Sequence, residues 1–173
     1  MGARFYYGLL FVALCALGTV HGDFSYDDPN RWAETDPDCG GMRQSPIDIV
    51  RSTAALPPLD HAAPLLVEGA TRKPVSINVT NNGHTAQYTF TWNTDSERPT
   101  LVGGPLPLAA LYVLEQMHFH WGADNGRGSE HTFDGKSYSA EVHFVFYKLE
   151  YGTFEQALAH PDGLAVVGVL YEI

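Results

Sequence analysis

Two stretches of alternating side chains, Leu111 to Trp121 and Tyr138 to Leu149, constrain this chain more than anything else in it. Both are rich in β-branched and aromatic residues, and in a strand residues two apart share a face. Gln116, His118 and His120 therefore point one way in the first stretch, and Glu141 and His143 point one way in the second. The Gly- and Asp-containing segment 122–137 suits a long loop joining an antiparallel pair. Paired strands lie about 4.8 Å apart, so three imidazoles on two neighbours can meet one ion at the roughly 2.0–2.1 Å of a Zn–N bond.

Three protein ligands leave the fourth tetrahedral position to water, which is the arrangement of a catalytic zinc. A structural zinc is closed by a fourth side chain, and Cys39 is a thiol that would serve if the Pro-rich arm carrying it reached the site. An open position brings the pKa of bound water from about 15.7 to about 7, so a hydroxide nucleophile exists at neutral pH. Gln116 and Glu141, each two residues ahead of a histidine, are placed to accept from the second nitrogen of a ligand ring. A cupin-type site also uses a His-x-His strand but needs a carboxylate shortly after it. Here Glu130 follows His120 by 10 residues, too far for that pattern.

The rest of the chain reads as more sheet. Val75 to Val79 and Tyr88 to Trp92 alternate on either side of Asn81-Asn82-Gly83, which predicts a hairpin. Ile47-Asp48-Ile49 suits a short strand. The capping box Thr153-Phe154-Glu155-Gln156 opens a short helix that Pro161-Asp162-Gly163 ends. Leu164 to Tyr171 is apolar at successive positions and predicts a strand covered on both faces. Such a strand belongs inside a sheet, yet almost no sequence follows to supply its neighbours. From Asp23 to Leu66, Pro, Asp and Gly break any period, while Tyr26 and Trp32 are costly to leave in water; this arm is expected to lie against the sheet.

Composition narrows the class. The 173 residues carry 20 acidic and 10 basic side chains, a formal net charge of -10, and no basic run, which argues against nucleic acid or an anionic membrane surface as a partner. With 45% hydrophobic and 12% aromatic content the chain suits one globular domain rather than disorder. Arg4 precedes an apolar stretch from Phe5 to Val20 that closes with Val20-His21-Gly22, the form of a secretory signal peptide over residues 1–22. Its uninterrupted heart, Leu9 to Leu17, is too short for a membrane span of about 20 residues. Residues 23–173 are then the exported domain, outside the cell, and Cys15 leaves with the leader. Cys39 stays without an obvious partner, as a free thiol, an intermolecular bridge or half of a disulfide. Asn78-Val79-Thr80 is an N-glycosylation sequon.

Several motifs in one order, Gln44-Ser45-Pro46-Ile47-Asp48-Ile49, Asn81-Asn82-Gly83-His84, Gln116-Met117-His118-Phe119-His120-Trp121-Gly122, Ser129-Glu130-His131-Thr132 and Ala140-Glu141-Val142-His143, resemble the alpha-class carbonic anhydrases, of the secreted type. The resemblance implies a mainly β, α+β single domain around a large, mostly antiparallel twisted sheet with few short helices. It implies zinc in a conical cleft, hydrating carbon dioxide to bicarbonate and a proton. By that resemblance His118, His120 and His143 are the zinc ligands, supported by Gln116 and Glu141, with His131 as a neighbouring support. His84 takes the proton-shuttle position, suited to an imidazole with a pKa near 6.5. Tyr26 and Asn82 hold the water chain, Gln87 is a polar cleft residue, and Val145, Leu164 and Val166 form the apolar wall that receives carbon dioxide. Glu130 orients the hydroxyl of a gatekeeping threonine in a Thr-Thr-Pro-Pro segment that this sequence does not contain.

About the last third of the family domain has no counterpart here. The expectation is a domain incomplete at its C-terminus, which also accounts for the lone Cys39, whose partner in secreted members lies in that third. The alternative to an enzyme is a non-catalytic carbonic-anhydrase-like binding or matrix protein, or an inactive fragment.

Overall fold

The computed structural model describes residues 4–10, 28, 31–55 and 63–173. Among them an eight-stranded antiparallel sheet dominates, built from β1 (Arg4–Leu10), β3 (Leu66–Glu68), β4 (Ser76–Asn81), β5 (Ala86–Thr91), β6 (Thr100–Val102), β7 (Tyr112–Trp121), β9 (Ala140–Lys148) and β10 (Leu164–Glu172). The main path runs β1-β10-β9-β7-β5-β4, and β6 joins β7 to β3. Among the described residues the two α-helices, α1 (Trp32–Thr35) and α2 (Phe154–Ala157), are single turns. This is the mainly antiparallel sheet the motifs implied.

The predicted hairpin forms as β4 and β5 around a turn at 82–85, where Asn82 Oδ1 accepts from the backbone N–H groups of His84 at 3.0 Å and Thr85 at 2.9 Å. The capping box holds as well: the Thr153 hydroxyl oxygen accepts from the Gln156 N–H and α2 is short. The loop at 122–137 contains one element its composition did not announce. This is β8 (Thr132–Phe133), which pairs parallel with the short strand β2 (Asp48–Ile49). Two residues are too few for periodicity to register, and Asp48 secures the pairing by accepting from the Thr132 hydroxyl at 2.6 Å.

The last apolar run is β10, with seven of its nine positions at 164–170 buried or nearly so. Its outer edge was expected to lack a neighbour, with residues 1–22 outside the fold. The structure differs: the backbone of Arg4–Leu10 runs antiparallel along β10, from Arg4 opposite Glu172 to Leu10 opposite Val166. A strand edge offers unpaired N–H and C=O groups, and in the uncut chain this N-terminal segment satisfies them.

β7 changes face partway along. Val113 pairs with Tyr147 and Leu114 with Phe146, but Gln116 pairs with Val145, so Glu115 is an extra residue, a β-bulge. Side chains 116, 118 and 120 consequently continue on the face of Val113 rather than the opposite one. Val113, Val145, Tyr147, Leu164 and Val166 form a core on that face under α2. Leu101, Tyr112, Leu114, Phe146 and Ala165 form the core on the other face.

Candidate metal centre

Opposed strands bring the three histidines together. His118 faces His143 directly across β7 and β9, and His120 is one step further along the same face. The ring centroids lie 5.0 Å apart for His118 and His120, 5.2 Å for His118 and His143, and 4.7 Å for His120 and His143. One ring nitrogen from each falls in a group whose members all lie within 4.8 Å of one another.

The outward nitrogens have acceptors. Nδ1 of His118 is 2.9 Å from Gln116 Oε1, and Nε2 of His143 is 2.7 Å from Glu141 Oε1. Those bonds leave Nε2 of His118 and Nδ1 of His143 as lone-pair donors. For His120, Nδ1 stands 3.3 Å from Glu130 Oε1, while Nε2 is buried with no hydrogen-bond partner. A buried polar nitrogen left unmatched costs stability unless something else satisfies it. Two lone pairs and one orphaned nitrogen around a single point fit a divalent ion with a preference for imidazole, such as zinc.

Burial and the neighbouring rings keep His118 and His120 neutral. Burial first, then the neighbouring His143 and His120, lower the pKa of His118 to about 4; burial and His143 lower that of His120 to about 4. Glu141 is 1% exposed, and burial alone would raise its pKa. The hydrogen bonds from His131 and His143 outweigh that and hold it well below the usual carboxylate range. Glu141 Oε1 accepts from His131 Nδ1 at 2.6 Å, and Oε2 accepts from the N–H of His131 at 2.8 Å and of Glu130 at 3.0 Å. His131 in turn reaches Ser45 Oγ at 3.4 Å.

Two cavities meet at the histidines. One of about 340 Å³ is mostly apolar and is lined by His118 and His143 together with Val145, Leu164 and Val166. The other, about 810 Å³, is more polar and is lined by His120, Glu130, Trp32, Gln44 and the exposed His84. Ser45 and Pro46 line both. These two belong to a motif quoted above but carried no assigned part there, since nothing local shows that the arm reaches the cleft.

The remaining candidates differ in where the fold places them. Asn82 and Gln87 line neither cavity; the Asn82 side-chain oxygen caps its own turn, and Gln87 sits on β5 opposite His118. Glu130 lies against His120, with its second oxygen 3.8 Å from His143 Nδ1. Its Oε1 thereby offers an acceptor to the ring nitrogen of His120 that faces away from His118 and His143. Cys39 is a free thiol beside the polar cavity and not among the clustered ligand atoms, so it does not close the site. Asn78 is exposed, and its Nδ2 donates to Thr80 Oγ1 at 3.1 Å. Tyr26 lies outside the described residues. No helix among the described residues is long and apolar enough to cross a membrane.

Two further residues, which act on the site through their neighbours, carried no part in the sequence analysis. Arg98 binds the bulge that turns His118 inward, and Gly168 stands opposite His143. A glycine inside an apolar run was the available sign of the second; nothing in the sequence pointed to the first.

Residues 27–173 match the family model described as eukaryotic-type carbonic anhydrase. Carbonic anhydrase 7 of Mus musculus is 44% identical over 147 residues, covering 84% of this chain and 53% of that protein. Carbonic anhydrase 7 of Homo sapiens is 42% identical over 158 residues, covering 89% and 57%. Carbonic anhydrase 6 of Bos taurus is 39% identical over 171 residues, covering 95% and 50%. The chain thus spans about half the length of these relatives.

Proposed function

Because the chain belongs to the eukaryotic-type carbonic anhydrase family, we propose that it hydrates carbon dioxide reversibly to bicarbonate and a proton, with zinc held by Nε2 of His118, Nε2 of His120 and Nδ1 of His143. Zinc, when bound, supplies a Lewis acid that brings the pKa of water to about 7. The observation that carries the reading is the buried, unpartnered Nε2 of His120, aimed at the nitrogens that Gln116 and Glu141 leave available on His118 and His143.

The chain's own residues divide the work between the two cavities. Gln116 and Glu141 hold the rings in one tautomer and at one angle, so the ligands are organised before metal arrives. Val145, Leu164 and Val166 offer an apolar wall against which uncharged carbon dioxide rests and from which bicarbonate, a charged product, is poorly retained. His84, exposed beside the cavity that His120 also lines, takes the proton and passes it to bulk water. Glu130 keeps a side-chain oxygen at His120 Nδ1 as an acceptor. The intact donor set favours this over a non-catalytic binding protein.

The test is carbon dioxide hydration by the purified chain, followed as pH change, with and without a zinc chelator. Activity that the chelator abolishes, and that His143→Ala loses together with zinc, is expected. Turnover surviving in His143→Ala would exclude the site.

We further propose that residues 1–22 direct export and are removed, and that Asn78 is glycosylated. All six positions of β4 are exposed, so the sequon is open to modification. Secretion by cultured animal cells of a product starting at Asp23, with a mass that peptide-N-glycosidase reduces and Asn78→Gln lowers equally, is expected. Retention of an uncut chain in the cytosol would overturn the reading.

A further inference from the structure

Gly168 sits in the middle of β10, a strand otherwise made of Leu, Ala, Val and Tyr up to Glu172, where any of those would add buried area. Its φ is not in the left-handed region, so backbone conformation does not call for glycine there. Space does. Gly168 is the cross-strand partner of His143, and a Cβ added to it would stand 2.9 Å from Glu141 Oε1 and 3.7 Å from His143 Cδ2. A carboxylate at the end of a flexible side chain usually yields to such a contact. Glu141 is not able to, because it is 1% exposed and both oxygens are engaged: Oε1 by His131 Nδ1 and His143 Nε2, Oε2 by two backbone N–H groups.

We propose that Gly168 is a positioning residue for the metal centre. Its missing side chain lets Glu141 lie flat against β10, and Glu141 in that position holds His143 with Nδ1 turned inward. A methyl at 168 must push the carboxylate off, and the shift is passed to the two imidazoles it binds. The inference rests on the zinc reading for its functional consequence, though its structural half concerns bonds present without metal.

The experiment uses the whole 173-residue chain carrying Gly168→Ala. In the metal-free protein with 15N-labelled histidine, the N–H protons that His131 and His143 donate to Glu141 should resonate at low field and be protected from exchange. In Gly168→Ala both should move upfield or vanish. Zinc affinity, measured by competition with a chromophoric chelator, should fall about 10–100-fold, the usual effect of losing a partner that orients a ligand. Glu141→Ala provides the control for folding. In that background the obstructed carboxylate is gone, and adding Gly168→Ala should cost nothing further in zinc affinity or in thermal midpoint.

Imidazole protons unchanged by Gly168→Ala would overturn the role of Gly168, as would full additivity of the two substitutions. Failure of the unsubstituted chain to bind zinc would instead overturn the zinc reading, leaving the proton resonances to decide the structural claim.

Discussion

A histidine that must bind metal has to stay neutral, and the surroundings of His118 and His120 make charging either one costly. Their folded pKa values near 4 lie below the ordinary 6.5 because burial removes water and the rings repel one another when protonated. In the unfolded chain both take up protons as pH falls through 6.5, whereas the folded chain does not until about 4. The unfolded state therefore binds more protons in that window, and stability decreases as pH drops. The metal-free chain should lose stability on the order of a few kcal/mol in all between pH 6.5 and 4. Glu141, whose folded pKa is depressed, adds a further loss as pH falls below the ordinary carboxylate range. Urea midpoints across this range measure the effect, and a midpoint independent of pH would contradict it.

At the scale of the element, the β-bulge in β7 decides whether the histidines face the cleft. A strand keeping strict alternation from Val113 would send Gln116 and His118 to the opposite face. Arg98 occupies the bulge: Nε and Nη2 donate to Leu114 O at 3.0 and 2.6 Å, Nη2 also reaches Glu115 Oε2 at 2.6 Å, and Nη1 donates to Tyr147 Oη at 3.2 Å. Its side chain is only 14% exposed, so removing it leaves a buried carbonyl and a carboxylate without their donor. Arg98→Ala should cost about 2–4 kcal/mol in unfolding free energy. It should also weaken zinc binding, because the register of Gln116 and His118 loosens together. An unfolding midpoint within experimental error of the unsubstituted chain would show that the bulge holds without it.

For the molecule as a whole, β1 is the element with two claims on it. The same residues that read as a secretory leader pair along β10 in the uncut chain. Removing residues 1–22 takes that strand away and leaves the β10 edge with unpaired backbone groups beside a run of buried apolar side chains. A chain beginning at Asp23 should therefore be less stable than the 173-residue chain and associate as its concentration rises. Sedimentation of both forms over a range of concentrations checks this; a shorter form that stays monomeric and equally stable would mean that β1 adds nothing to the sheet.

Local pattern was enough for most of this protein. Alternation located β7 and β9, a capping box located α2, and two-residue spacing put Gln116, His118 and His120 on one face of their strand and Glu141 and His143 on one face of theirs, because period and capping depend on neighbours in sequence. Contacts between residues far apart in the chain were not legible that way. The parallel β2–β8 pair, the Ser45–His131 contact, the Arg98 clamp, the seat of Glu130 against His120 and the room that Gly168 leaves for Glu141 all join separate segments. Only the folded sheet sets those distances, since each depends on register between strands rather than on any one strand's composition.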